Sequence, residues 1–162
     1  MEFSDFGDEN NGRPAIFKAI QNLMDVLGEE FIDGTGKRRY ADTFFSVEKF
    51  IGVYFGASWA SPCQEFDPML VEFYNHVNQF SKKIEIIYVN SDEDTGQFNG
   101  VISQTPWLSI PFNDPRVMDL KQLYAITSVP ILVILRKDGT VVTTNGRNDI
   151  YALENDAINH WH

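Results

Sequence analysis

The sequence predicts an α/β fold in which helices cover both faces of a central mixed β-sheet. Two apolar runs, "IGVYFGAS" at 51–58 and "KIEIIYVN" at 83–90, are bounded by polar residues and have the length of strands buried on both faces. Between them, apolar side chains recur at spacings of three and four residues for about four turns, as in a helix packed on a sheet. A hairpin and a last helix complete the order expected of such a layered fold.

The chain begins with a polar stretch over 1–13 that we expect to fray. A helix is predicted from about Pro14 and should end at Gly28; its apolar face consists of Ile16, Ile20, Leu23, Met24 and Leu27. The segment "EEFIDGTGKRRYA" then predicts two short strands around a Gly-Thr-Gly turn. We therefore divide the chain into an N-terminal polar segment and helix over 1–28 and a domain over 29–162.

The helix predicted after Pro62 has an apolar face, and Pro68 should kink it because proline lacks an amide donor. The face consists of Phe66, Met69, Leu70, Phe73, Val77 and Phe80. After the strand over 83–90, an acidic loop and a weaker helix ending near Ser103 are predicted. The segment "RVMDLKQLYAI" predicts another short helix.

The last third of the chain predicts a hairpin and a terminal helix. In "ILVILRKDGTVVTTNG", two apolar strands are joined by a turn at Lys137, Asp138 and Gly139. The helix is predicted over "NDIYALENDAINHW", with Asn148 as its N-terminal cap. Its apolar side consists of Ile150, Leu153, Ala157 and Trp161.

Composition limits the possible partners and location. With 162 residues and 43% hydrophobic content, the chain is predicted to form a single globular domain. A formal net charge of -10 disfavours nucleic acid and anionic membranes as partners. The N-terminus lacks the apolar run of a secretory signal, and no stretch approaches the ~18 apolar residues of a membrane span. We expect a cytoplasmic location, and a single cysteine fits a reducing compartment.

The single cysteine lies in "ASWASPCQEF", where a predicted buried strand ends and a helix begins. The start of a helix directs free amide groups and the positive end of the helix dipole at such a turn. A thiol in this position has a lowered pKa and forms the reactive thiolate. Disulfide exchange needs two sulfurs separated by two residues, of which the first attacks and the second resolves the mixed disulfide. Cys63 occupies the second of these positions, and Ala60 occupies the first.

This segment resembles the active site of the thioredoxin superfamily, and specifically of its tryparedoxin and nucleoredoxin branch. The branch pattern is a Trp, a Cys, two residues usually ending in Pro, and a second Cys. Trp59, Pro62 and Cys63 match this pattern, whereas Ala60 replaces the attacking cysteine. Pro68 matches the kink proline of the family helix. The resemblance implies a thioredoxin-like fold, with a central mixed sheet flanked by helices on both faces.

Three further features extend the resemblance to roughly residues 29–161. The segment "SVPILVIL" is similar to the cis-proline loop of the family, with Pro130 as the cis residue. The segment "TPWLSIPF" is similar to one found in tryparedoxins and nucleoredoxins in particular. Tyr54 stands where ordinary thioredoxins carry a buried aspartate, which again indicates the tryparedoxin-like branch.

The resemblance implies a thiol-disulfide oxidoreductase without a metal or organic cofactor. Its implied partners are proteins with disulfides, such as peroxidases, and a low-molecular-weight dithiol or a reductase. In a complete site, a cysteine at position 60 would attack, Cys63 would resolve, and Pro130 would help to bind an extended stretch of the partner beside the sulfurs. The residues assigned to substrate binding are Trp59, Ser61, Pro62 and Val129.

Ala60 blocks this two-step cycle and leaves Cys63 as an expected poor nucleophile. One explanation is an engineered form in which alanine replaces the attacking cysteine; another is a naturally redox-silent module that binds proteins. We favour the first because Trp59, Cys63 and Pro130 are all retained. Two weaker alternatives make Cys63 a one-cysteine redox sensor or a small buried hydrophobic residue. The histidines are too scattered to predict a zinc site.

Overall fold

The computed structural model describes residues 12–162, so most of the polar stretch predicted over 1–13 lies outside it. Within the described residues, seven strands form one sheet. They are β1 (Glu30–Ile32), β2 (Arg38–Tyr40), β3 (Phe50–Gly56), β4 (Ile84–Asn90), β5 (Leu108–Ser109), β6 (Ile131–Arg136) and β7 (Val141–Thr143). The α-helices are α1 (Gly12–Leu27), α2 (Ser61–Val77), α3 (Thr95–Ile102), α4 (Arg116–Leu123), α5 (Gly146–Leu153) and α6 (Ala157–His160).

The sheet is mixed, and β3 lies near its centre. The strand order is β2-β1-β5-β4-β3-β6-β7. β3 pairs in parallel with β4 and antiparallel with β6, while β5 continues the sheet beside β4 in parallel. The predicted α/β fold with a mixed sheet is therefore confirmed. The two-residue strand β5 was not predicted, because a segment that short carries no periodic pattern.

Helices cover both faces of the sheet, as the alternation of side chains along β3 requires. Phe50 and Tyr54 pack in one core with α2 and α5. Ile51, Val53 and Phe55 pack in the other core with α1 and α4. Every residue of β3 is buried, as predicted for a central strand.

Helix α1 belongs to the second of these cores. Ile20, Leu23 and Leu27 are fully buried in it. The helix ends at Gly28, whose positive φ of 88° suits glycine and whose amide donates to the carbonyl of Met24 at 2.7 Å. Ile16, predicted on the apolar face, is 40% exposed because it lies one turn before the first position that reaches the core.

One arginine joins the end of α1 to β1 and α4. Arg116 donates hydrogen bonds to the carbonyls of Leu27, at 3.0 Å, and Glu30, at 2.8 Å. Its guanidinium lies over the ring of Phe31, 5.5 Å from the centroid. The side chain of Arg116 thus connects α4 to the end of α1 and to β1 at the border of the second core.

Helix α2 continues through Pro68 and ends at Val77, earlier than its apolar pattern predicts. The side chain of Asn78 accepts from the amide of Lys83 at 2.8 Å and donates to the carbonyl of Ile84 at 3.0 Å. These hydrogen bonds fix the turn between the end of α2 and the start of β4. Phe80 was predicted on the buried face, but it lies after this turn and is 91% exposed.

The predicted terminal helix is divided. Glu154 has a positive φ of 53°, and a 3-10 turn over Glu154–Asp156 separates α5 from α6. Leu153, for which a buried position was predicted, is the last residue of α5 directly before this break and is 39% exposed. The predicted cap, Asn148, lies inside α5, which begins two residues earlier at Gly146.

Candidate active site

Three chain segments meet at one edge of the sheet. Phe55, near the end of β3, pairs with Ile131 at the start of β6. On the other side, the amide of Ser91, just after β4, donates to the carbonyl of Gly56 at 2.9 Å. The turn over 57–60, the loop after β4 and the loop before β6 are therefore neighbours.

Asp92 holds the turn in place. Its Oδ1 accepts hydrogen bonds from the amide of Ser58 at 2.6 Å and from the hydroxyl of Ser58 at 2.8 Å. Its Oδ2 accepts from Nδ2 of Asn90 at 2.6 Å. The next residue, Trp59, donates from Nε1 to the carbonyl of Ser91 at 3.4 Å while 56% of it remains exposed. The turn thus leaves much of the indole exposed to solvent.

Ala60 lies at the N-terminal cap of α2. Its carbonyl accepts hydrogen bonds from the amides of Cys63 at 3.0 Å and Gln64 at 3.1 Å. Ser61 and Pro62 follow as the exposed first residues of the helix. A thiol at position 60 would lie at the positive end of a 17-residue helix, where a thiolate is stabilised.

Cys63 is buried, with 1% of it exposed. Burial raises the pKa of its thiol, although a backbone hydrogen bond at Ala57, the Tyr54 hydroxyl and the Arg147 guanidinium oppose that shift. A shielded, protonated thiol reacts slowly with disulfides. The lowered pKa expected of a thiol at the helix start therefore applies to position 60 and not to Cys63.

The peptide bond between Val129 and Pro130 is cis, as the resemblance predicted. Pro130 is buried and Val129 is half-buried, directly before β6. Because Ile131 pairs with Phe55, this loop lies beside the turn that carries position 60. The sequence-predicted site residues are thus brought to one edge of the sheet.

Asp67, which sequence reasoning missed, lies below this edge. It is on α2, and it accepts a hydrogen bond from the hydroxyl of Tyr54 on β3. Burial raises the pKa of this carboxyl, while the Tyr54 bond opposes the shift. The available signal was its spacing of four residues from Cys63, which places both side chains on one side of the helix.

An open cavity of about 660 Å³ lies beside the turn. Its walls come from the turn, from α2 and from α3 and the segment after it. The polar lining includes Ser58, Gln64, Asp67, Gln97 and Gln104. The Asp67 carboxyl therefore has access to solvent from the side opposite to the core.

Within residues 12–162, no three His, Cys, Asp or Glu side chains converge into a group that could hold a metal ion. Over the same described range, no helix has both the length and the apolar character needed to cross a lipid bilayer.

The fold and the site define the class of thioredoxin-fold proteins. The defining features are a mixed sheet with helices on both faces, a turn after the central strand at which a helix begins, and a cis-proline beside that turn. A family model described as thioredoxin-like matches residues 48–141, more than half of the chain. The chain belongs to this thioredoxin-like family.

Several similar curated proteins are nucleoredoxins. The probable nucleoredoxin 1 of Arabidopsis thaliana is 38% identical over 111 residues, which are 68% of this chain and 19% of that protein. The nucleoredoxin of Danio rerio is 33% identical over 126 residues, which are 77% of this chain and 30% of that protein. The chain thus spans less than a third of the length of these relatives.

Similar solved structures are tryparedoxins and thioredoxins. Tryparedoxin II from Crithidia fasciculata has a TM-score of 0.76 at 27% identity, covering 85% of this chain and 92% of that one. Thioredoxin from Wuchereria bancrofti has a TM-score of 0.72 at 28% identity, covering 78% and 88%. A mutant tryparedoxin I with a cysteine replaced by alanine has a TM-score of 0.73 at 29% identity, covering 83% and 92%.

Proposed function

We propose that this chain has the framework of a thiol-disulfide oxidoreductase of the thioredoxin and tryparedoxin type, in a form that lacks the attacking cysteine. The supporting observation is the arrangement around position 60. That position caps α2 beside the cis-proline loop, and Cys63 lies buried one helical turn further on. Relatives of the nucleoredoxin and tryparedoxin kind agree with this proposal.

In the proposed complete cycle, a thiolate at position 60 attacks a disulfide of a partner protein and Cys63 resolves the mixed disulfide. A low-molecular-weight dithiol or a reductase then restores both thiols. Trp59 and the backbone of Val129 bind an extended stretch of the partner, in the manner of an added strand. Peroxidases are one class of such partners, and a cytoplasmic location belongs to the same proposal.

A redox-silent module that binds proteins is the second candidate, and the burial of Cys63 favours it for the chain as it stands. With alanine at position 60 and a shielded thiol of raised pKa at Cys63, no accessible nucleophile faces the partner surface at this turn. The exposed Trp59 and the cis-proline loop can still bind an extended segment.

Insulin reduction with dithiothreitol as the reductant separates these candidates. We expect no catalysis above background from the chain itself, and turnover from Ala60→Cys. Ala60→Ser is the matched control, because it adds a polar atom of similar size without a thiol and should remain inactive. An inactive Ala60→Cys that is folded, reduced and still captures disulfide-bearing proteins would favour the binding module.

The origin of Ala60 is tested separately. The retention of Cys63 favours an engineered replacement, because a chain that had abandoned disulfide exchange has no need of the resolving sulfur. The genomic codon for position 60 decides the matter. A cysteine codon supports replacement, and an alanine codon overturns it.

A further inference from the structure

The cavity beside the turn before α2 begins close to position 60 and follows one face of that helix. Its α2 wall repeats at the spacing of three and four residues that defines a helical face. The residues of this wall are Gln64, Asp67, Pro68 and Val71. Ser58, in the turn itself, lines the same cavity. From position 60 to Asp67 the distance is roughly 10 Å along the helix, at a rise of about 1.5 Å per residue.

The opposite wall comes from α3 and the segment after it, and it leaves room for a ligand. Gly96 and Gly100 line the cavity without side chains, and a Cβ at Gly100 would meet nothing within 4 Å. The volume of about 660 Å³ lies in the range of small-ligand pockets. Val71 and Val101 add apolar surface that can contact the aliphatic part of a ligand.

Two side chains of α2 offer oxygen acceptors to this cavity. Asp67 accepts from the Tyr54 hydroxyl with Oδ1, and over residues 12–162 no group donates to its Oδ2. The side-chain amide of Gln64 donates to the carbonyl of Ser58 at 2.8 Å, so its oxygen is left as an acceptor. A ligand that meets both oxygens must therefore bring its own donors.

Two hydroxyl groups of the cavity act as acceptors for a similar reason. Ser58 donates its hydroxyl proton to Asp92 at 2.8 Å, and Thr105 donates its own to the carbonyl of Ile102 at 3.2 Å. A hydroxyl has one proton, so any further hydrogen bond to these two oxygens comes from a donor. The side-chain amides of Gln97 and Gln104 can bind the neutral polar part of a ligand.

The charge of Asp67 has no positive partner. Among the described residues that line the cavity, Asp67 is the one charged side chain, and none of the ion pairs found over 12–162 includes it. Burial raises the pKa of this carboxyl, the Tyr54 hydrogen bond opposes the shift, and the negative charge of Asp92 adds to it. A cation beside Asp67 would remove this electrostatic cost, whereas an anion would increase it.

The cavity is continuous with the surface on which a partner protein would lie. Ser58 lines it and directly precedes the half-exposed Trp59. Gln64 lines it and is tied to the same turn by its bond to Ser58. A partner segment that contacts Trp59 and position 60 therefore has the cavity beside it.

We propose that this cavity binds a basic side chain, lysine or arginine, of the disulfide-bearing partner protein. The inference rests on the proposed function and names a feature of its substrates, a basic residue a few positions from the cysteine that is attacked. An extended chain advances about 3.3 Å per residue, so a basic residue two or three positions away reaches Asp67. Its charged group donates to Asp67 Oδ2 and to the Gln64 oxygen, and its aliphatic stem packs on Val71 and Val101.

The test uses Ala60→Cys as the reference and two short peptides that differ at one residue. Each peptide carries its cysteine as a mixed disulfide with thionitrobenzoate, and either lysine or the neutral norleucine lies near that cysteine. The thiolate at position 60 attacks the peptide sulfur, and a bond forms between these two sulfurs. The chromophore leaves as a thiolate with the electron pair of the broken bond, so stopped-flow absorbance gives the second-order rate constant.

We expect the reference to react about tenfold faster with the lysine peptide when lysine is two or three positions from the cysteine. Asp67→Asn, made in the reference, should reduce this preference to about twofold or less. Gly100→Leu fills the cavity from α3, leaves the carboxylate in place and should reduce the preference as well. Glu65→Gln, at an exposed acid nearer to position 60 on the same helix, is the control and should keep it.

Long-range attraction of a cationic peptide by a chain of net charge -10 gives a different pattern. The preference would then survive in Asp67→Asn, weaken equally in Glu65→Gln and vary little as the lysine is moved along the peptide. That result overturns the pocket. A site for a free amine is also distinguishable: n-butylammonium would raise the melting temperature of the chain but not of Asp67→Asn, while the reference showed no preference between the peptides. This outcome overturns the proposal too.

The two proposals fail separately. If the reference neither reduces insulin nor reacts with either peptide, the proposed function fails. Fluorescence anisotropy of labelled peptides with a methylated cysteine then reads the pocket without chemistry, on the chain as it stands, and equal affinities for both peptides overturn it. If the reference is active but the preference survives in the folded Asp67→Asn and Gly100→Leu variants, the pocket alone is overturned. Far-ultraviolet circular dichroism and thermal melting establish that each variant is folded.

Discussion

Asp92 and Ser58 join the two loops that form the candidate active site. One carboxylate oxygen accepts both the amide and the hydroxyl of Ser58, at 2.6 and 2.8 Å. The turn before α2 is therefore held by a side chain from the neighbouring strand's loop, and not by its own local hydrogen bonds alone. The position of Trp59 depends on this tie, since its indole donates to a carbonyl in the same loop.

We expect Asp92→Ala to loosen the turn. It leaves the amide and hydroxyl of Ser58 without their acceptor and should reduce the free energy of unfolding by about 2 kcal/mol. Urea denaturation followed by circular dichroism measures the loss. Glu93→Ala removes an exposed carboxylate from the same loop and is the control. Equal stability of the two variants would contradict a holding role for Asp92.

Asp67→Asn should stabilise the chain at neutral pH. The folded-state pKa of Asp67 is raised above its ordinary value of 3.8, so the folded protein binds the proton more tightly than the unfolded chain does. The ionised carboxyl is therefore destabilising above the raised pKa, and that cost disappears as pH falls below 3.8. Asparagine keeps an acceptor for the Tyr54 hydroxyl.

Thermal melting of both chains between pH 3 and pH 8 (about one point per half unit) gives the difference directly. The melting temperatures should diverge as pH rises through the Asp67 pKa and coincide at the acid end. Glu65→Gln, on the exposed side of α2, should show a constant difference. A constant difference for Asp67→Asn as well would refute the raised pKa.

Glu85→Ala should be destabilising, because Glu85 is a buried acid that accepts hydrogen bonds from three groups, of which one is the amide of Ile86 at 2.9 Å. Only 2% of Glu85 is exposed; Tyr74 donates to it at 3.0 Å and Lys82 at 2.9 Å. Alanine leaves the buried Tyr74 hydroxyl without its acceptor, so we expect a loss of about 2 kcal/mol in the free energy of unfolding. Glu72→Ala, at an exposed position of α2, should lose much less in the same urea titration.

Replacement of two helical glycines by alanine should change the free energy of unfolding in opposite directions. A Cβ at Gly146 would lie 2.9 Å from the carbonyl oxygen of Leu132 and 3.1 Å from a side-chain carbon of Ile134, so α5 must move away from β6. We expect Gly146→Ala to cost about 2 kcal/mol of unfolding free energy. Nothing lies within 4 Å of a Cβ at Gly100 on α3, so Gly100→Ala should stabilise by about 1 kcal/mol. Urea denaturation measures both changes: an unchanged free energy in Gly146→Ala would contradict the close packing of α5 on β6, and a loss in Gly100→Ala would contradict the open space at that position.

The long elements could be predicted from the sequence because their patterns are strong. Burial of β3 on both faces follows from its continuous apolar run, and the buried face of α2 follows from its spacing up to Val77. The ends are less predictable. Phe80 continues the spacing of α2, but the contacts of Asn78 with the start of β4 end the helix before it.

The site could be predicted only where a resemblance supplied the residues. The cis bond before Pro130 cannot be read from a Val-Pro pair alone, since most such bonds are trans. Asp67 has no partner nearby in the sequence that marks it, because Tyr54 lies 13 residues away on another element. The contact exists only once α2 packs on β3. The break of the last helix likewise depends on the positive φ of Glu154.

Helix α1 lies outside the stretch that matches the family, yet the same apolar cluster includes its Leu23 and the strand residue Val133. A recombinant fragment cut at the family limits would lose α1 together with β1 and β2. The apolar side chains of the second core would then be exposed to solvent, where they favour aggregation. Such a fragment would accumulate in inclusion bodies. A recombinant fragment of this protein should therefore include the whole of α1, up to the Leu27 carbonyl that accepts a hydrogen bond from Arg116.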